Sequence, residues 1–279
     1  MFTLTRKVAL AAALSTALMP MSSIGKDIGI TAVVRNNVQV TTTVNPALHK
    51  AIVRERIAIG NDIVTGANSM TQLLLLDKTS FTVGSSARVK IDRFVYDPDR
   101  DSSSIGASVA KGAFRFMSGR SLKRGETKSS INTPVASIGI RGTIIEGVVG
   151  REAIDIARRE AGVGQSFNAD PEKATLIILR GPGRNAQGVQ QGAIDVTVGD
   201  MVIPIEEAGM ALFIPGPGQA PIGPFRISPR GTLELRDLLG VRPLPGRDRQ
   251  FERDPSTEQT FECDLGLSQR SGCLAFSQG

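Results

Sequence analysis

One pattern governs most of this chain. From residue 28 to residue 214, short runs rich in Val, Ile, Leu and Thr alternate with Gly, Asn, Asp, Pro or Ser. Residues 87–94 show the pattern best, with Val89, Ile91 and Val95 alternating against Arg88, Lys90 and Asp92. A period of two over so short a span predicts a half-buried strand, not a helix. The runs 28–34 and 38–44, separated by Asn36-Asn37, read the same way. So do 51–59 (through Ile52, Ile57 and Ile59), 71–76, 81–83 and 105–116. Further strands are predicted at 174–179, 194–198, 201–205 and 209–214, with Gly199-Asp200 as a turn.

No long βαβ unit interrupts this series, so a doubly wound nucleotide-binding sheet is disfavoured. The expected fold is all-β, a solenoid-like stack of short strands, with a β-sandwich as the alternative. Thirty Gly and fifteen Pro supply the turns, and only 4% of residues are aromatic, with no Trp. The core must therefore be aliphatic. Residues 152–161 and 232–239 are the helix candidates. The expected organisation is 26–150 as one β domain, 151–240 as its extension or a second small β domain, and 241–279 as a mobile tail.

The first residues read as an address. Arg6 and Lys7 precede the apolar run VALAAALSTALM (8–19), then Pro20 and small residues. That is the layout of a secretory signal, expected to be cleaved after Gly25. The run is shorter than the roughly 20 residues a membrane span requires. The mature chain is therefore expected in the periplasm or beyond, without a transmembrane span. Cys263 and Cys273 are the only cysteines. In an oxidising compartment they are expected to form a disulfide, a local staple on the tail.

Catalytic chemistry is sparse. The single His, His49, has no Cys or His cluster around it, so neither a metal nor a cofactor is expected. DPDRD (97–101) lacks the Gly and the distant Glu of a calcium loop. RGPGRNAQG (180–188) lacks the Lys-Ser/Thr ending of a phosphate loop. Its net charge is +6, but no dense basic block is interleaved with aromatics, so nucleic-acid binding is not expected. A carboxylate-based hydrolase is the weakest of the function classes.

The most distinctive stretch is TPVASIGIRGT (133–143), one arginine between two glycines in an apolar, β-branched run. It resembles the Thr-Pro…Gly-x-Arg-Gly-Thr signature of the FecR domain family, carried here by Thr133, Pro134, Gly139, Arg141, Gly142 and Thr143. IGNDIVTG resembles the family's Gly-Asp-x-Val-x-Thr-Gly segment, through Gly60, Asp62, Thr65 and Gly66. LLLLDKTSF resembles its strand–turn–strand hairpin around Asp77. VKIDRF and KGAFRFMSG, with Gly112, fit the next two elements in order. Lys78 stands where the family usually has Gly, which predicts a different turn type there, because Lys tolerates positive φ poorly.

The resemblance implies a solenoid-like β fold over residues 28–150 and a role in signalling. Only seven residues precede the apolar run, so the chain is similar to the periplasmic half of such regulators without the anti-sigma helices. From the residues themselves, Pro134 fits a strand start. Arg141 has two readings: a buried or half-buried fork locking a corner, pairing with a carboxylate such as Asp62 or Asp77 or with backbone carbonyls, or a contact to an anion or ligand, the first being preferred. The expected function is non-enzymatic: a binding, signalling or adaptor module meeting an envelope protein through exposed β surfaces and edges. The alternative is a scaffold that binds peptidoglycan or another glycan.

Overall fold

A computed structural model of the protein describes residues 26–240, apart from 43–44, 101, 120–128, 165 and 182–191. The expected signal segment, the tail and its cysteines, and most of RGPGRNAQG lie outside the described residues.

The strands form two sheets, numbered here along the chain. The first runs, edge to edge, through Arg56–Ala58 (β4), Asp27–Arg35 (β1), Met70–Leu75 (β6), Ser80–Val83 (β7), the C-terminal part of Ser102–Met117 (β9), Ile144–Val149 (β12), Thr175–Gly181 (β13), Met210–Ile214 (β16) and Ile222–Arg226 (β17). The second runs through His49–Lys50 (β3), Val38–Val40 (β2), Asp62–Thr65 (β5), Arg88–Asp97 (β8), the N-terminal part of β9, Ser129–Asn132 (β10), Ser137–Arg141 (β11), Ala193–Val198 (β14) and Met201–Ile205 (β15). Among the described residues every ladder is antiparallel except β9 with β10. The fold is all-β, as expected. The chain shuttles between the sheets, so short strands stack in two facing layers. Residues 175–226 continue both sheets without a break in pairing.

One buried cluster fills the space between the sheets. The first contributes Ile57, Leu73, Phe81, Phe114, Phe116 and Ile177, and the second Ile63, Val89, Ile91, Ile131, Ile138 and Val196. Phe81 stacks near Phe114 at 6.4 Å and meets Phe116 edge-on at 6.0 Å. Each such aliphatic or aromatic side chain contributes about 1.5–3 kcal/mol by leaving water.

The first sheet is covered on part of its other face, over β12, β13 and β16. Arg151–Ala157 (α1) and Pro229–Leu238 (α2) lay Ile154, Ile156, Ala157 and Leu235 against Leu176, Ile178 and Phe213. Ser228 caps α2, its Oγ accepting from Gly231 N at 3.0 Å. A strand buried on both faces reads as a continuous apolar run. That is why TLIILRG (β13) shows no alternation and is buried at every position but Arg180.

The chain crosses from one sheet to the other within β9. Its pairing with β8 reaches Lys111, and its pairing with β12 begins at Gly112, whose φ is 80°. A Cβ there would lie 2.3 Å from Ala87 Cα.

Several local expectations are corrected. Residues 51–59 hold only the short β4, because Arg54 (φ 67°) turns the chain and leaves Ile52 exposed. Val95 faces solvent because a register shift between Ile91 and Arg93 inverts the alternation. Pro134 sits in the β10–β11 turn rather than at a strand start. The proline-broken β17 was not foreseen. Lys78 does adopt positive φ, 68°, so the hairpin keeps a left-handed position in spite of its side chain. Asp77 steadies it by accepting from Thr79 N at 3.0 Å and Thr79 Oγ1 at 2.8 Å. Lys78→Gly is expected to stabilise the protein by about 1 kcal/mol, raising the melting temperature by about 2–4 °C in calorimetry; no rise would show the position to be unstrained.

Candidate functional site

Among the described residues, no helix packs on the outer face of the second sheet, called here the open face. Its side chains are small or polar because every second residue of β8, β9, β10, β11 and β14 points away from the core. The register lines them up across the strands. One row runs Asp62, Lys90, Ser108, Asn132, Ser137, Thr197 and Val202. The next runs Arg93, Gly106, Ser130, Gly139, Asp195 and Pro204. The middle of the face, with Gly106, Ser130 and Gly139, is low. A Cβ on Gly139 would meet nothing nearer than 3.7 Å.

Charge gathers at the two sides of this low band. On one side Asp62 lies 3.3 Å from Arg88 Nε and 3.8 Å from Lys90 Nζ, and Asp92 accepts from Ser108 Oγ at 2.5 Å. On the other side Arg141 Nη2 lies 3.2 Å from Asp195 Oδ1 and 3.9 Å from Glu206 Oε1. These pairs are surface pairs: the Arg141 side chain is 56% exposed.

The expected partners of Arg141 are therefore wrong. Asp62 is on β5, four strand spacings or about 19 Å away across the sheet. Asp77 is buried in the other sheet and spends its oxygens on Thr79. Nor is Arg141 a buried fork. Exposed pairs of this kind are worth at most about 1 kcal/mol, so Arg141 holds no corner.

The other motif residues build the frame. Gly60 (φ 84°) turns the chain before β5. Thr65 is buried, with Oγ1 donating to Gly84 O and accepting from Ala87 N at 2.9 Å. Gly66 N donates to Asn37 O at 2.9 Å. Thr133 closes the β10–β11 turn, its Oγ1 accepting from Ala136 N at 3.1 Å. Gly142 (φ 54°) turns the chain out of β11, and Thr143 is buried where β12 begins, donating its N–H to Ser118 Oγ at 3.2 Å. Asp62, Gly139 and Arg141 thus share the open face, Thr65 is buried beneath it in β5, and Asp77, Gly112 and Thr143 belong to the first sheet or the crossing into it. Asp195, Ser130, Asn132 and Ser137 were missed. Their signal was the alternation of small polar with Ile or Val in SSIN, SIGIR and AIDVTV.

The edges offer less than the sequence reading expected. Edge strands β3 and β4 have two and three residues, and β15 and β17 carry Pro204 and Pro224. Short or proline-bearing edges accept an added strand poorly.

Two ionic features lie apart from this face. On the helix side of the first sheet, Glu146 is 1% exposed. One oxygen accepts from Arg115 Nε at 2.8 Å, and the other lies 3.5 Å from Arg180 Nε without a hydrogen bond. Burial pulls the Arg180 guanidinium below its usual range, with Glu146 opposing. At the far edge, His49 Nε2 lies 2.6 Å from Glu55 Oε1, and that hydrogen bond raises the imidazole pKa. Among the described residues, no group of three or more His, Cys, Asp and Glu is placed to hold a metal ion. No described helix is long and apolar enough to cross a membrane.

Residues 61–160 match the family model described as FecR protein, so the chain carries a FecR domain there. That domain holds β5 to β12 and α1, and with them most of the open face. No curated protein matches the chain. Among solved structures, two crystal structures of a candidate anti-sigma factor from Parabacteroides distasonis ATCC 8503 are similar, at 11% and 10% identity and a TM-score of 0.37. The match covers 58% of this chain and 57% of that one.

Proposed function

We propose that this protein is an exported, non-enzymatic signalling or adaptor module of the cell envelope. It acts in the periplasm by docking a protein partner on the open face of the second sheet. The observation that carries the reading is the asymmetry of cover. Helices pack on the outer face of the first sheet over β12, β13 and β16, whereas no described helix packs on the second, which presents a low band of Ser, Asn and Gly between two charged sides. Blunted edges leave the face as the surface available for contact. The match to the FecR family supports a regulatory rather than a catalytic role.

Variants of the face test this without unfolding the protein. Gly139→Arg places bulk in open space, and Arg141→Ala removes one charged side. Both are expected to melt within about 1 °C of wild type, and Arg141→Lys likewise. In crosslinking capture from the native envelope, Gly139→Arg is expected to lose the specific membrane-protein partner at least about tenfold. Equal capture by all forms would reject the face as the docking site. Recovery of peptidoglycan fragments alone would make the protein an envelope scaffold instead.

A further inference from the structure

Large apolar side chains exposed on the described surface stand singly at Leu76, Val95 and Leu233 and as a pair at Met201 and Val202, which is ordinary for a folded protein. The largest group is on the edge formed by residues 48–59. Leu48, Ile52, Val53 and Ile59 are 45%, 65%, 53% and 42% exposed within that short stretch. Ile52 and Val53 lie together in the turn that carries the chain from β3 in one sheet to β4 in the other.

The turn is held firmly. Thr31 Oγ1 donates to Ile52 O at 2.5 Å, Arg54 N donates to Thr31 O at 2.7 Å, and Ile52 N donates to Glu55 Oε2 at 3.0 Å. These bonds pin the backbone to β1 and present the two aliphatic side chains outward, although the core lies one residue away at Ala51, 3% exposed.

The surroundings are basic. Lys26, Lys50, Arg54 and Arg56 are exposed at this edge. The acids beside them are engaged: Glu55 holds His49 and the Ile52 amide, and Asp27 pairs with Arg56 at 3.3 Å. Lys26, just before β1, is brought here because Asp27 pairs with Ala58 next to Ile59.

We infer that this edge is a peripheral docking surface for a bilayer carrying anionic headgroups. Ile52 and Val53 insert among the acyl chains, and Lys50, Arg54 and Lys26 meet the headgroups. Two aliphatic side chains at the tip of a turn enter a fluid surface, whereas a protein partner would need a pocket shaped to receive them. Apolar insertion and positive charge together are what stable interfacial binding requires. Ile52, Val53 and Arg54 lie in the turn beyond edge strand β3, and Lys50 stands at that edge opposite Gln39, so the inference stands whether or not the middle of the open face binds a protein.

The test is vesicle flotation of the full chain with mixed phosphatidylglycerol–phosphatidylcholine vesicles and with pure phosphatidylcholine. Wild type is expected to bind the anionic vesicles about tenfold or more in excess of the neutral ones. Ile52→Ser/Val53→Ser and Lys50→Glu/Arg54→Glu are each expected to lose about tenfold in binding, with melting temperatures unchanged. Equal binding to both vesicle types, or wild-type binding by both variants, would overturn the inference. Failure of wild type to float, with a crosslinked dimer that Ile52→Ser/Val53→Ser abolishes, would overturn it too and give the patch to a second copy of the chain.

Discussion

Gly112→Ala is expected to destabilise the protein by more than about 3 kcal/mol and to lower its melting temperature by at least about 8 °C. Two costs combine. A φ of 80° is one that residues with a Cβ adopt at about 1–2 kcal/mol. The added methyl would also lie 2.3–2.5 Å from Ala87 Cα, Cβ and N. Two of those atoms belong to backbone tied to β5 of the second sheet, since Ala87 N donates to Thr65 Oγ1 and Ala87 O accepts from Thr65 N. Relief requires β9 to move, and β9 is the strand both sheets share. A differential scanning calorimetry trace near wild type would show that the crossing is soft and that Gly112 does not set it.

The second large effect concerns the ionic ladder on the helix side of the first sheet. Arg115, Glu146 and Arg180 lie on β9, β12 and β13, with side chains 19%, 2% and 22% exposed. Removing the carboxylate leaves two guanidinium groups largely out of water without a counter-charge. Glu146→Ala is expected to cost about 3–5 kcal/mol in urea unfolding. The triple variant Arg115→Met/Glu146→Leu/Arg180→Met should recover most of that loss, because well-packed apolar groups replace a buried ion cluster at little cost. If Glu146→Ala unfolds like wild type, the carboxylate is not the counter-ion the geometry implies.

These two positions also show what sequence reading reaches. Gly112 was legible as part of a FecR-like motif, but its steric demand was not, because Ala87 meets it only through sheet pairing. Val89 and Ile91 were legible as core from simple alternation. The same rule failed at Val95, because a bulge one turn of the pleat earlier reverses the faces. The run 210–214 was legible as a strand, whereas β17 hid behind Gly223 and Pro224. Glu146 is the lone acid in TIIEGVV and was not singled out, and its arginines come from strands 31 and 34 residues away. Arg141 was recognised as unusual and assigned the wrong partners. Its pairing with Asp195 spans 54 residues and depends on β14 lying against β11, a long-range choice that local pattern does not encode.

Docking of a partner on the open face of the second sheet is tested by site-specific photocrosslinking in the native envelope, with the reactive side chain at Ser137 on that face or at Leu233, exposed on α2. One discrete protein adduct is expected from position 137, none from 233, and loss of the adduct when Gly139→Arg is added. An adduct from 233 and not from 137, or one that survives Gly139→Arg, would contradict docking on that face.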